Sequence, residues 1–277
     1  MDRRKFLIGS ATGATAALSG AFFLANAFAP PKLKEKLPEL ILPNIKKTTA
    51  GTWLYHPLDS AATGDVAYHL HREGSCMYAT FGSILTQLAE QHGEPYASFP
   101  LSMMKYGASG IGGYGSICGA LNGAAAIMGL FVENKSHRNA LIEDFFTWYE
   151  RTELPIYTPE QSKQTVATSI SNSVLCHAST ANWVKESGLK IDSKKRSERC
   201  SRLTADVAQK TVATLNQYFE GRYEASLKVN EETAECAQCH SKKGKLANIR
   251  GKMECASCHE KSMAHTLFAD VHYKFME

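Results

Sequence analysis

Two stretches near the C-terminus carry the densest chemistry in the chain: Cys236-Ala237-Gln238-Cys239-His240 and Cys255-Ala256-Ser257-Cys258-His259. Two thiols separated by two residues, with a histidine directly behind them, can bond to both vinyl groups of one porphyrin while the imidazole turns onto its iron. Each stretch therefore reads as the covalent attachment site of one c-type haem. Cys236, Cys239, Cys255 and Cys258 are the thioether partners, and His240 and His259 the proximal iron ligands. The competing reading is a zinc ribbon, since two cysteine pairs 15 residues apart also match a four-thiolate zinc site. Zinc satisfied by four thiolates gives no reason for a histidine at the same offset in both copies, so haem is the better account.

Low-spin iron in such a site takes a second axial ligand. His265 and His272 are the nearest candidates: seven residues apart, they fall on one face of a helix two turns long, although two solvated helix positions would show the same spacing. His69 and His71 alternate on a segment that reads as exposed, and one of them could serve from the body or from a second subunit. Met253 and Met263 are alternatives that would raise the potential relative to two imidazoles.

Four further cysteines, Cys76, Cys118, Cys176 and Cys200, are spread across the body, two of them near expected helix starts, where the positive end of the helix favours thiolate. Four thiolates on separate elements suit a [2Fe-2S] or [4Fe-4S] cluster, with the glycine-rich loop ahead of Cys118 bringing backbone amides close to it. Two disulfides are the equally open alternative, since they are the usual outcome for an even cysteine count in an oxidising compartment.

The elements that must position these residues read as helices. Met77, Phe81, Ile84, Leu85 and Leu88 recur at helical spacing behind Ser75, which reads as the helix cap, and stop at His92-Gly93, which puts Cys76 in a first turn. Cys118 opens an Ala- and Leu-rich helix to about Phe131. Further helices are expected from Leu141, Ile142, Phe145, Phe146 and Tyr149, from about Thr165 to Ser187, and from Leu203, Val207, Val212, Leu215 and Phe219. Residues 190–199 read as a basic exposed loop, whose Lys194-Lys195-Arg196 would suit an acidic redox partner. No convincing strand appears. The expected architecture is mainly α: a helical body over 51–221 with four scattered cysteines, and a small dihaem segment over 222–277 where apolar residues thin out. A segment that small cannot bury a sizeable apolar core, so porphyrin faces must supply much of its buried surface. Gly110-Ile111-Gly112-Gly113-Tyr114-Gly115 fits a dinucleotide-binding pattern, but no strand precedes it, as that fold requires.

At the other end, Arg3-Arg4-Lys5 precede 24 uncharged residues, Phe6 to Ala29, rich in Ala, Gly, Leu and Phe. Residues 1–29 read as a twin-arginine export signal, with Ala27-Phe28-Ala29 or Ala25-Asn26-Ala27 as the cleavage pattern. An uncleaved anchor competes, but Gly, Ser and Thr lower its hydrophobicity. Residues 30–50, with four prolines and five lysines, read as an extended arm. Length (277 residues), 44% hydrophobic content and 21% charged content exclude wholesale disorder. The formal charge of +4 falls to +2 once Asp2, Arg3, Arg4 and Lys5 are removed, and it gives no argument for nucleic acid. No other apolar run approaches membrane-spanning length, so the mature chain is expected to be periplasmic without a membrane span.

Taken together in chain order, the Gly74-Ser75-Cys76 start, the loop before Cys118-Gly119-Ala120-Leu121, Cys176, Cys200, the paired haem motifs and the histidine-bearing tail resemble the split-Soret cytochromes c, a small family of exported dihaem proteins. The body alone is similar to a broader group of redox-active proteins with four spaced cysteines and a glycine-rich segment, from which Ile117 departs where glycine is frequent. The resemblance implies a homodimer with two closely stacked, bis-histidine haems per subunit and an axial histidine crossing between subunits. It also implies an iron-sulfur centre on Cys76, Cys118, Cys176 and Cys200. The function expected is periplasmic electron transfer between redox partner proteins. The alternative is an oxidoreductase in which one haem iron stays open and reduces nitrite, nitric oxide or peroxide. No Ser-His-Asp, paired-carboxylate or phosphate-loop constellation competes.

Overall fold

The computed structural model describes residues 53–160, 164–225, 229–257 and 259, which fall in one compact unit. Residues 1–50, where the export signal and the arm are expected, and Cys258, His265 and His272 lie outside the described residues. Six helices dominate: α1 (Ser60–His92), α2 (Gly119–Phe131), α3 (Lys135–Arg151), α4 (Cys176–Ser187), α5 (Lys194–Phe219) and α6 (Glu231–His240). Two short 3-10 turns, Tyr96–Ser98 and Leu101–Gly107, link α1 to the glycine-rich loop. The mainly α expectation holds.

The core lies where α1 packs along α5 and α2. Met77, Phe81, Ile84, Leu85 and Leu88 of α1 meet Leu121, Ile127, Met128 and Phe131 of α2. Leu203, Val207, Val212 and Leu215 of α5 close the layer, with Leu141, Phe145 and Tyr149 of α3 behind. Between these, α5 turns Thr204, Ala205, Ala208 and Thr211 inward, all buried, and small side chains let two long helices approach closely. Polar caps fix the ends: the side chains of Asp59, Asn134, Ser193 and Asn230 accept from first-turn amides of α1, α3, α5 and α6.

Four expectations are corrected. The helix through Cys76 begins at Ser60, fifteen residues early, and Ser75 interrupts it with φ 68° and ψ −171°, so Ser75 is a break rather than a cap. Cys76 still starts a helical run, the second half of α1. His71 is consequently not on an exposed segment: His69 is exposed, while His71 is helical and buried. The helix expected from Thr165 begins only at Cys176. The stretch before it is extended, because Ser169–Ile170 (β2) pairs antiparallel with Glu153–Leu154 (β1), and α4 clips it with Trp183 Nε1 donating to the Ala167 carbonyl at 2.9 Å and Asn182 Nδ2 to that of Ser171 at 2.8 Å. Finally, 194–199 is the start of α5 rather than a loop: Ser193 caps it, and Arg199 and Cys200 already face inward. Among the described residues no helix is long and apolar enough to cross a membrane.

Candidate metal centre

Three of the four body cysteines sit where a helix begins. Cys118 precedes α2, Cys176 is the first residue of α4, and Cys76 follows the break at Ser75. One backbone device aligns two of them. Ile117 and Leu175 form an isolated antiparallel bridge, with the Cys118 amide donating to the Val174 carbonyl at 2.8 Å and the Cys176 amide to the Ser116 carbonyl at 2.7 Å. The helices α2 and α4 thus leave the same bridge with a cysteine at each departure.

Gly119 brings Cys76 to this pair. A β-carbon at Gly119 would lie 2.5 Å from the Gly107 carbonyl oxygen and 3.1 Å from Cys76 Cβ, so only glycine lets the start of α2 touch the break in α1. Cys200, from the buried side of α5, completes the set by hydrogen bonding to Cys76. The structure therefore converges all four cysteines, three of them buried and Cys176 half-buried, and all four are free thiols rather than two disulfides. Among the described residues no three His, Cys, Asp or Glu side chains form a ready site for a single metal ion.

The glycine-rich loop does not play the role expected of it. Its amides bond back to its own carbonyls, Gly112 to Tyr106, Gly113 to Ala108, Gly115 to Ser109 and Ser116 to Gly110, and the preceding element is a 3-10 turn rather than a strand. Its contribution is close packing: Gly115, at φ 70°, leaves the room against His177 that a β-carbon 2.9 Å from the His177 side chain would fill.

A polar layer that the sequence reading missed surrounds the thiols. Arg199, 1% exposed, donates from Nη2 to Ser179 Oγ at 2.9 Å and hydrogen-bonds Cys200, while its Nε has no hydrogen-bond partner. Tyr149, fully buried, donates to the same Ser179 oxygen at 2.9 Å and lies within hydrogen-bonding reach of Cys118. On the α1 side His71 Nε2 is 3.4 Å from Cys76 Sγ, and its Nδ1 is 2.8 Å from Ser201 Oγ. The signal for Arg199 and Ser201 was their place on either side of Cys200, one helical turn before Leu203.

Burial sets the protonation of this group. It pushes the Cys118 thiol up, and together with the neighbouring Cys118 and Cys200 it pushes Cys176 up to about 12. Cys200 is raised by its bond to Cys76 and then by burial. Burial holds the His71 imidazole below its ordinary value. Thiols gathered in a buried polar setting, with Cys118, Cys176 and Cys200 held toward the protonated form beside a buried guanidinium, are a donor set that a cationic iron centre could deprotonate on binding. The residues fit an iron-sulfur group chemically.

The C-terminal motifs form a second cluster. Cys236, Cys239 and His240 occupy one face at the end of α6, with both thiols exposed. His240 Nδ1 donates to Asn248 Oδ1 at 2.8 Å, an outer hydrogen bond of the kind that orients a metal-binding imidazole. The second motif lies against the first: the Cys255 amide donates to Thr233 Oγ1 at 3.1 Å, the Cys236 thiol hydrogen-bonds that of Cys255, and the His259 amide donates to the Cys255 carbonyl at 2.9 Å. These residues suit covalent haem attachment. Glu254 ties the segment to α3, pairing with Arg151 at 3.5 Å, and its amide donates to the buried Glu150 carboxyl. Burial and then the charge of Glu254 push Glu150 up to about 7.

Comparison with known proteins agrees with this layout. Residues 78–214 match the family described as "Putative redox-active protein (C_GCAxxG_C_C)". The split-Soret cytochrome c of Desulfovibrio desulfuricans ATCC 27774 is 38% identical over 204 residues, covering 71% of this chain and 73% of the relative. A solved structure described as "A novel iron centre in the split-Soret cytochrome c from Desulfovibrio desulfuricans ATCC 27774" superposes with a TM-score of 0.72 at 34% identity, covering 81% of this chain and 95% of that one.

Proposed function

The chain belongs to the split-Soret cytochrome c family, and from that premise we propose that it is a periplasmic electron carrier with two covalently held haems and an iron-sulfur centre. The haems are held through Cys236 and Cys239 and through Cys255 and Cys258, with His240 and His259 on iron and His265 and His272 opposite them. Cys76, Cys118, Cys176 and Cys200 hold the iron-sulfur centre. These groups supply one-electron chemistry when bound, and the chain's own residues set how readily it occurs.

The observation that carries the reading is the packing of the second haem motif against α6, with Cys255 on Thr233 and the Cys236 and Cys255 thiols in contact. Two porphyrins attached there are neighbours. In the body, α1, α2, α4 and α5 bring four free thiols into one pocket around Arg199, which supports the iron-sulfur assignment. Glu254 joins the two regions through α3. Assembly as a homodimer, with an axial histidine crossing between subunits, and export by the twin-arginine signal of residues 1–29 belong to the same proposal.

The test is a count on anaerobically purified mature protein. A pyridine haemochrome of two haems per chain, with non-haem iron and acid-labile sulfide in equal amounts, is expected. Haem without sulfide removes the iron-sulfur centre, and absence of haem removes the cytochrome reading altogether. Low-spin ferric haem throughout supports the carrier, whereas a high-spin component that shifts with cyanide or nitrite supports reduction of a small molecule at an open iron.

A further inference from the structure

We propose that His71 is itself an iron ligand of the body centre, sharing an iron with Cys76 in place of one of the four thiolates. The inference rests on the iron-sulfur reading above and revises its ligand set from four thiolates to His71 and three, Cys76 among them. The described hydrogen-bond partners of His71, Cys76 and Ser201, both lie in the body, and it is 9% exposed on α1.

The first observation is a distance. Two ligands of one tetrahedral metal, sulfur at about 2.3 Å and imidazole nitrogen at about 2.0 Å, stand roughly 3.5 Å apart. His71 Nε2 and Cys76 Sγ are separated by 3.4 Å. They lie five residues apart on either side of the Ser75 break, which turns the second half of α1 so that both side chains reach the same point.

The second observation is the tautomer. His71 Nδ1 lies 2.8 Å from Ser201 Oγ, whose hydroxyl also reaches the Ser197 carbonyl at 3.2 Å; with the hydroxyl proton on that carbonyl, Nδ1–H donates to Ser201. Nε2 then carries a lone pair aimed at Cys76. A histidine whose other nitrogen donates to a fixed acceptor is oriented as metal-bound histidines are. Once Cys76 is a thiolate, two lone pairs would face one another across that gap, and a metal between them turns the repulsion into two bonds.

The third is charge. A cluster on four thiolates carries two net negative charges when oxidised, and one on three thiolates and an imidazole carries one. Among the described residues the most deeply buried cation at the thiols is Arg199, with its Nε lacking a partner; Arg202 is buried but paired with Glu198, and Arg196 acts on Cys176 from the half-buried start of α5. The smaller charge of the mixed ligand set is the cheaper one to hold beside Arg199 in a site this buried.

The experiment uses the full holoprotein, prepared anaerobically with and without 15N-labelled histidine and reduced with dithionite. Bis-histidine ferrous haems are then diamagnetic and the reduced cluster is paramagnetic. Pulsed EPR is expected to show a directly bonded nitrogen whose coupling changes with the label. His71→Cys is expected to keep the iron and sulfide content, lose that coupling and shift the cluster potential downward. His71→Ala is expected to lose the non-haem iron and keep both haems. A coupling insensitive to labelled histidine in protein with its full iron and sulfide overturns the proposal, as does a His71→Ala protein with unchanged iron, sulfide and potential. Haem without sulfide in the unaltered protein removes the underlying iron-sulfur reading, and this ligand with it.

Discussion

Gly119→Ala isolates the contact that brings Cys118 and Cys76 together. The new methyl would stand 2.5 Å from the Gly107 carbonyl oxygen, 3.1 Å from Cys76 Cβ and 3.1 Å from the Met77 amide nitrogen. Ordinary contact needs about 3.4 Å or more, so the start of α2 must retreat by about 1 Å. Both the carbonyl and the amide belong to backbone, so no side-chain rotation relieves the clash. Overpacking of this kind costs about 1–3 kcal/mol, which for a chain of this size lowers the melting temperature by roughly 3–10 °C. Cys118 moves with α2, so non-haem iron should fall while haem content stays, because α6 lies elsewhere in the chain. Gly129→Ala in the same helix is the control. Nothing lies within 4 Å of its added methyl, and removing a mid-helix glycine should stabilise by about 0.5–1 kcal/mol. Thermal melts and iron-to-haem ratios of the two variants decide the matter. A Gly119→Ala protein with unaltered iron and melting temperature refutes the argument that this glycine seats the pocket.

Other perturbations probe the remaining parts. Glu150 is raised to about 7 from an ordinary value of 4.5, so the folded state holds a proton that the unfolded state releases. Its contribution to stability is greatest below 4.5 and declines as pH rises through 7; Glu150→Gln should flatten that part of a melting-temperature profile, and an unchanged slope counts against it. Asp206, raised by burial to about 6, gives the same sign and leaves a residual slope. Asn248→Ala removes the acceptor that orients His240, and a partial high-spin signal from one ferric haem is expected; spectra identical to the unaltered protein would show that the orientation comes from elsewhere. His265→Ala and His272→Ala should each convert one haem to high spin, and if both remain low-spin the distal ligands come from the body or a partner subunit.

The parts legible in the sequence were those in which a local pattern carries the physics. The paired Cys-X-X-Cys-His motifs, each five consecutive residues, lie against one another as their spacing allows, and the periodicities through Met77–Leu88 and Leu203–Leu215 correspond to the packed faces of α1 and α5. What escaped was long-range or polar. The alternation of His69 and His71 suggests an exposed segment, yet His71 turns toward Ser201 on a helix 130 residues away. Residues 194–199 looked like loop because three basic side chains outweighed the Ser193 cap, which alone showed that a helix began there. The stretch before Cys176 looked helical from composition. Its partner strand at Glu153–Leu154 is only two residues long, too short to announce itself. The loop before Cys118 was correctly singled out for its glycines and misread in purpose, since internal hydrogen bonding is invisible to composition.

The bridge between Ile117 and Leu175 has a consequence for how the body comes apart. It joins segments 58 positions apart, and the donors it aligns are completed only when α1 and α5 have also docked. Iron held by these thiols, as proposed above, would be gripped from several elements at once, so its release should need more than the opening of one loop. A strong chelator would then weaken the fold as it strips the metal, drawing the folding equilibrium toward the open chain by mass action.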